Sequence, residues 1–197
     1  MAAEGRSEAV DGTIRITASE IVATYVLPDI LTALHLAEPR IEIELVATDR
    51  SENLLQREAD IAVRMYRPTQ ADVITRKVGE LRLGVFAAHT YLERRGVPYS
   101  LEDVSSHDVI GYDMDEQIIQ GFQSAGLEVD RSFFSFRSDD QVVCWRMVCA
   151  GFGIGFNHIK IGEDEPKVAR LLDLEYQSQN SASRCRPHSS SLFYLLW

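Results

Sequence analysis

Hydrophobic and polar positions alternate over Thr13-Ile-Arg-Ile-Thr-Ala, the two-residue period of a strand buried on one face. From Ser19 to Leu34 the spacing changes to four, with Val22, Val26, Ile30 and Leu34 in line and Leu27 and Leu31 beside them, which predicts a helix. Ser19 stands where an N-cap belongs, and Pro28 should kink this helix or restart it at a new first turn. Ile41-Glu-Ile-Glu-Leu-Val-Ala alternates strictly and predicts a second strand. Ser51 to Glu58 predicts a short helix, and Asp60-Ile-Ala-Val-Arg a short buried strand. The order is βαβαβ, and crossover helices make its strands parallel.

Leu81 to Ala88 predicts another strand, followed by a helical turn from Tyr91 to Arg95. Ser100-Leu-Glu-Asp has the spacing of a capping box and should open a further short helix. A second α/β set then follows: a strand at Val109 to Tyr112, a helix from Asp115 to Ala125, a strand at Phe133 to Phe136, a helix from Asp139 to Ala150 and a strand at Phe152 to Phe156. This restart predicts two similar lobes, 13–86 and 87–177, preceded by a linker over 1–12. Residues 178–197 form an atypical tail, Ser-rich through 191, ending in an apolar strand (Leu192 to Trp197) able to return to the first lobe.

Composition narrows the class. Thirty acidic against twenty basic residues give the 197-residue chain a net charge of −10. A phosphate-tracking surface needs clustered Lys and Arg, so this piece alone is not expected to bind nucleic acid. Hydrophobic residues at 45% and charged residues at 25% match a soluble globular protein large enough to need no metal or disulfide staple. The N-terminus carries acids where a signal peptide needs a basic start, and no apolar run approaches a membrane span. Cys144, Cys149 and Cys185 are odd in number and lack CxxC spacing, which suits structural thiols in a reducing compartment. A cytoplasmic location is the expectation, with no membrane partner.

Candidate chemistry is sparse. Gly151-Phe-Gly-Ile-Gly-Phe follows a helix and enters a strand, the reverse of a dinucleotide loop, and reads as a helix C-cap with a close-packed strand. His35, His89, His107, His158 and His188 are scattered without ligand spacing, so no metal and no cofactor is expected. Cys144 and Cys149, five apart on a helix, point to different faces. Asp139 and Asp140 read as partners of a helix dipole rather than an acid–base pair. No nucleophile motif or phosphate loop is present in the sequence, and catalysis is not expected. What remains is a set of polar residues at the C-terminal ends of strands or the helix starts after them: Thr17, Ser19, Thr48, Ser51, Arg64, Tyr112, Ser138 and Asp139. In open α/β sheets ligands bind at those ends.

Several stretches taken together resemble the effector-binding domain of LysR-type transcriptional regulators. In the first half these are Gly12-Thr-Ile-Arg-Ile-Thr-Ala, Leu27-Pro28, Pro39-Arg-Ile-Glu-Ile-Glu-Leu and Ala59-Asp-Ile-Ala-Val-Arg. In the second they are Tyr91-Leu-Glu-Arg-Arg-Gly-Val-Pro, Leu101-Glu-Asp-Val with His107, Arg137-Ser-Asp-Asp-Gln and Val148-Cys-Ala-Gly-Phe-Gly-Ile-Gly-Phe. The resemblance covers about residues 12–175. It implies an α/β, type 2 periplasmic-binding-protein-like fold: two lobes with a small effector in the cleft between them, and dimers or tetramers formed through the lobes. It places effector contacts at Thr17 to Glu20, Thr48 to Ser51, Arg64 and Met65, Gly111 to Asp113 and Arg137 to Asp139. The set thus includes Glu20, Met65, Tyr112 and Asp113 beside the residues above. DNA binding in this family belongs to an N-terminal winged helix-turn-helix that this sequence does not contain. An anionic effector is expected, because Arg64 supplies a charge and the helix start at Ser19 supplies N–H donors. The alternatives are an exported solute-binding protein of the same fold or an enzyme built on it.

Overall fold

The computed structural model describes residues 11–49, 59–65 and 74–171, together with the backbone of 190–196; for Glu80, Leu81 and Gln117 also the backbone alone. The chain divides into two compact units, residues 1–77 with 194–197 and residues 78–193. The sequence reading places that boundary at 86/87. In the structure it falls inside a single strand that continues without a break.

In the first unit, β1 (Gly12–Ala18), β2 (Ile41–Ala47) and β3 (Ile61–Arg64) are parallel, with β1 in the middle. This is the expected βαβαβ order. The predicted helix between β1 and β2 forms as two, α1 (Glu20–Tyr25) and α2 (Leu27–Ala37). Pro28 lies in the first turn of α2, where its missing N–H costs nothing, so it restarts the helix. Ile21 and Val22 of α1 are buried together with Ile16 and Ala18 of β1 and Ala62 and Val63 of β3. The returning strand β9 (Ser190–Leu196) pairs antiparallel with β3, setting Leu196 against Ala62 and Tyr194 against Arg64. The helix expected over 51–58, and the Ser-rich part of the tail, lie outside the described residues.

The second unit is reached along β4 (Thr75–Ala88), which is six residues longer than the apolar run predicts because Arg76, Lys77 and Glu80 mask the extended pattern. After α3 (His89–Arg95), the expected capping box opens α4 (Leu101–Val104): Ser100 Oγ accepts from Asp103 N–H, and the Asp103 carboxylate accepts from Ser100 N–H. β5 (Ile110–Gly111) is parallel to β6 (Phe136–Arg137). Between them runs α5 (Gln117–Ser124), shorter at both ends than predicted. The strand expected from Phe133 begins only at Phe136, because Asp130 takes the N–H and hydroxyl of Ser132 and winds Arg131–Phe133 into a 3₁₀ turn.

α6 (Gln141–Cys149) begins at Asp140, whose carboxylate accepts from Val143 N–H. It ends at Gly151, which adopts a φ of 81°. A Cβ on Gly153 would lie 2.2 Å from the Asp108 carbonyl oxygen, so the glycine run is the helix cap and close-packed strand that its order suggests. The strand itself, β7 (Gly155–His158), begins later than predicted and pairs with β4, while Ile154 forms only a bridge to Val109. α7 (Ile159–Glu163) and β8 (Val168–Arg170) follow, β8 pairing antiparallel with β4. Val85, Ala87, Tyr91, Val104, Val109, Phe122, Phe134 and Ile154 form its core, and Trp145 packs edge-on against Phe86.

Candidate functional site

Three parallel strands of the first unit bring Thr17, Thr48 and Arg64 to one sheet end, because Thr17 and Arg64 finish β1 and β3 and Thr48 follows β2. Thr17 is 8% exposed, Ser19 6% and Arg64 3%. Arg64 Nη2 donates to Thr17 Oγ1 at 3.0 Å and Nη1 donates to the Val63 carbonyl at 3.2 Å. The Thr17 hydroxyl in turn donates to the Val46 carbonyl at 3.2 Å. A guanidinium buried this deeply is normally retained only with charge-compensating or hydrogen-bonding partners around it.

Ser19 occupies the N-cap position of α1 but makes no capping bond, and its Oγ is buried with no partner. That departs from the expected cap and leaves a hydroxyl beside Arg64's strand end that can give or accept a hydrogen bond. The N–H donors expected at this helix start are in part engaged: Glu20 N–H is bound by Asp49 Oδ1 at 3.1 Å. Thr48 is half-buried, and its N–H donates to the Ala18 carbonyl at 2.9 Å, holding the loop after β2 against β1. Met65 follows directly on β3, half-buried. Ser51 lies outside the described residues.

The second unit gathers its own set. Gly111 ends β5, where a Cβ would lie 2.4 Å from the Phe134 ring, so a side chain has no room there. Asp113 N–H, Met114 N–H and Asp115 N–H all converge on Asp139 Oδ1, at 3.0, 2.8 and 3.3 Å. Asp113 itself is ion-paired with Arg131 and lies 3.5 Å from Arg137 Nε. The two acids expected at this site therefore hold the loops together. Ser138 N–H donates to the Gly111 carbonyl, and its Oγ accepts from Asp140 N–H. Cys144 Sγ donates to the Ser138 carbonyl at 3.1 Å and approaches that of Gly111 at 3.7 Å; burial pushes this thiol up to about 11, which keeps it protonated and unreactive. Tyr112, which follows β5, is half-buried.

Sequence reasoning did not single out Arg131, whose partner lies 18 residues away, nor Asn157, a buried polar residue in β7. Neither is marked by local spacing in the sequence. Among the described residues there is no group of three or more His, Cys, Asp or Glu able to hold a metal ion, and no helix long and apolar enough to cross a membrane.

Two α/β units with polar side chains at the C-terminal ends of parallel strands fit the type 2 periplasmic-binding-protein-like class. The regulatory domain of CrgA from Neisseria meningitidis superposes with a TM-score of 0.77 at 18% identity, over 95% of this chain and 89% of that one. The cofactor-binding domain of the Cbl transcriptional regulator superposes at 0.71 with 21% identity, over 95% and 80%. By sequence, the transcriptional activator AaeR of Escherichia coli is 29% identical over 173 residues, 81% of this chain and 54% of AaeR. CrgA is 27% identical over 105 residues, 53% of this chain and 35% of CrgA. The chain thus spans between a third and about half of these relatives. The profile of the LysR substrate binding domain matches residues 7–178, and the chain belongs to that family.

Proposed function

We propose that this chain senses a small anionic effector for a LysR-type transcriptional regulator, binding it through Thr17, Ser19 and Arg64. The observation that carries the reading is a guanidinium buried at a strand end within the same cluster as a buried hydroxyl that has no partner, on a chain whose net charge is −10. An acidic protein binds an anion where local positive charge or N–H donors outweigh its net charge. Glu20, Thr48, Ser51 and Met65 flank this cluster. Tyr112 and Ser138 of the second unit complete the proposed set of contacts, with Asp113 and Asp139 shaping the loops that carry them.

In this reading the chain catalyses nothing and works in the cytoplasm as part of a homodimer or homotetramer. Operator DNA is read by a helix-turn-helix belonging to another part of the regulator. Its relatives carry the names of transcriptional regulators, which supports sensing over solute transport or catalysis. The effector acts by favouring one arrangement of the assembly over another, through its differential affinity for the two.

A thermal-shift panel of small carboxylates, inorganic phosphate, amines and neutral sugars tests the reading. A bound ligand stabilises by RT ln(1 + [L]/Kd), about 2.7 kcal/mol at a hundredfold excess over Kd, which is roughly 5–10 °C in Tm for a chain of this size. At least one anion should raise Tm, and Arg64→Ala should cut that rise to about half or less. A response confined to amines or sugars, or one unchanged in Arg64→Ala, overturns it.

A further inference from the structure

The registers of the second unit, carried one step past its strands, bring a polar residue without a role into line with Tyr112 and Ser138. Gly111 pairs with Arg137, and Val109 bridges Ile154 in parallel. Continuing both puts Tyr112, Ser138 and Asn157 in one row at the C-terminal ends of β5, β6 and β7. Ser138 N–H still reaches the Gly111 carbonyl at 3.2 Å, so the alignment persists beyond β6. This is the sheet end at which open α/β folds bind ligands.

Asn157 is 5% exposed. Its Oδ1 accepts from His158 N–H at 2.8 Å, which fixes the amide, since a flip would set an NH2 group against an N–H. Nδ2 is then buried with no acceptor. An unsatisfied amide is costly, and buried polar groups are nearly always satisfied. The fold gains nothing from that end of the amide: only Oδ1 has a partner. The rest of the row also favours donation. Asp113 and Asp139 are engaged by arginines and backbone N–H groups, and the Ser138 hydroxyl, accepting from Asp140 N–H, keeps its proton to give.

We propose that Asn157 is an effector-contact residue of the second unit, its Nδ2 donating to a carboxylate or carbonyl oxygen of the bound molecule. The proposal rests on the effector-binding reading above and adds the acceptor that the second unit recognises.

The test titrates benzoate, succinate and inorganic phosphate into the wild-type chain, following the Asn157 side-chain NH2 pair and the Arg64 and Thr17 resonances by heteronuclear NMR. Thermal unfolding of Asn157→Leu and Asn157→Asp accompanies it. With the anion that most raises wild-type Tm, the Asn157 NH2 pair should move. The Tm increase should at least halve in Asn157→Leu and vanish in Asn157→Asp, which keeps the acceptor for His158 N–H but replaces the donor with a repelling oxygen. Asn157→Leu also removes the acceptor of His158 N–H, so its Tm increase is read against its own anion-free Tm. An anion that moves Arg64 and Thr17 but not Asn157, with the Tm increase intact in both variants, overturns this proposal and leaves the effector reading standing. One that moves Asn157 but not Arg64 overturns the role given to Arg64 instead, and a panel that moves neither overturns both. The NMR titration needs no variant to fold.

Discussion

At the strand ends of the first unit a guanidinium is buried against a threonine hydroxyl, with an unpartnered serine hydroxyl in the same cluster. At the strand ends of the second unit the charges are at least one-third exposed and bind one another or the backbone: Asp139 collects three N–H groups, and Asp113 faces two arginines. Charged side chains at the two sets of strand ends thus have different consequences. A charge held out of water keeps most of its attraction for an incoming anion, because no solvent screens it. A carboxylate already satisfied by its own loop has little left to offer a ligand and acts instead to shape that loop.

The contrast can be broken most strongly by acid. Burial holds the His158 imidazole of the second unit down to about 4. Burial, with Arg95 nearby, also lowers His107. Below the unfolded value of about 6.5 the unfolded chain takes up protons that the folded chain refuses, so stability falls as pH drops from about 6.5 to 4, by about 3 kcal/mol for His158. In the first unit, His35 is exposed. Hydrogen exchange followed through this window should show the second unit opening first, and His158→Asn should flatten the pH slope. Earlier opening of the first unit would contradict the assignment.

Arg64→Ala should weaken an anionic effector by about 1.5–3 kcal/mol, or roughly 10- to 100-fold in Kd by calorimetry, the range for hydrogen bonds to a charged group. Asp139→Ala is expected to lower the stability of the second unit by about 1–2 kcal/mol and to speed exchange of the 113–115 amides, while Asp139→Asn keeps the acceptor oxygen and loses less. Equal exchange rates in wild type and Asp139→Ala would show that the carboxylate does not hold the loop. The smallest effect belongs to Ser100→Ala, which removes one half of the capping box of α4 and should cost about 0.5–1 kcal/mol in urea unfolding.

Where periodicity was regular, the sequence was enough. β1 and β2 alternate cleanly, Pro28 announces the restart of α2, and Arg64 stands out as a charge closing a buried strand. What local pattern hid is equally physical. The first half of β4 is charged, so only its apolar end was legible. Asp130 diverts an aromatic run that looks like a strand into a turn. The engagement of Asp139 depends on amides about 25 residues earlier, and the loss of the Ser19 capping bond on the local geometry at α1, so neither could be read from spacing. Asn157 has the composition of a turn residue and becomes conspicuous only when the register shows it buried at a strand end.

The claim that the buried guanidinium is what an effector meets is tested most directly by a crystal structure of the chain with the carboxylate that gives the largest thermal shift. The account predicts the carboxylate within about 3 Å of an Arg64 guanidinium nitrogen, and of Ser19 Oγ, with Thr17 still bonded to Arg64. Density for the carboxylate elsewhere, with the surroundings of Arg64 and Ser19 unchanged from the free chain, would contradict it.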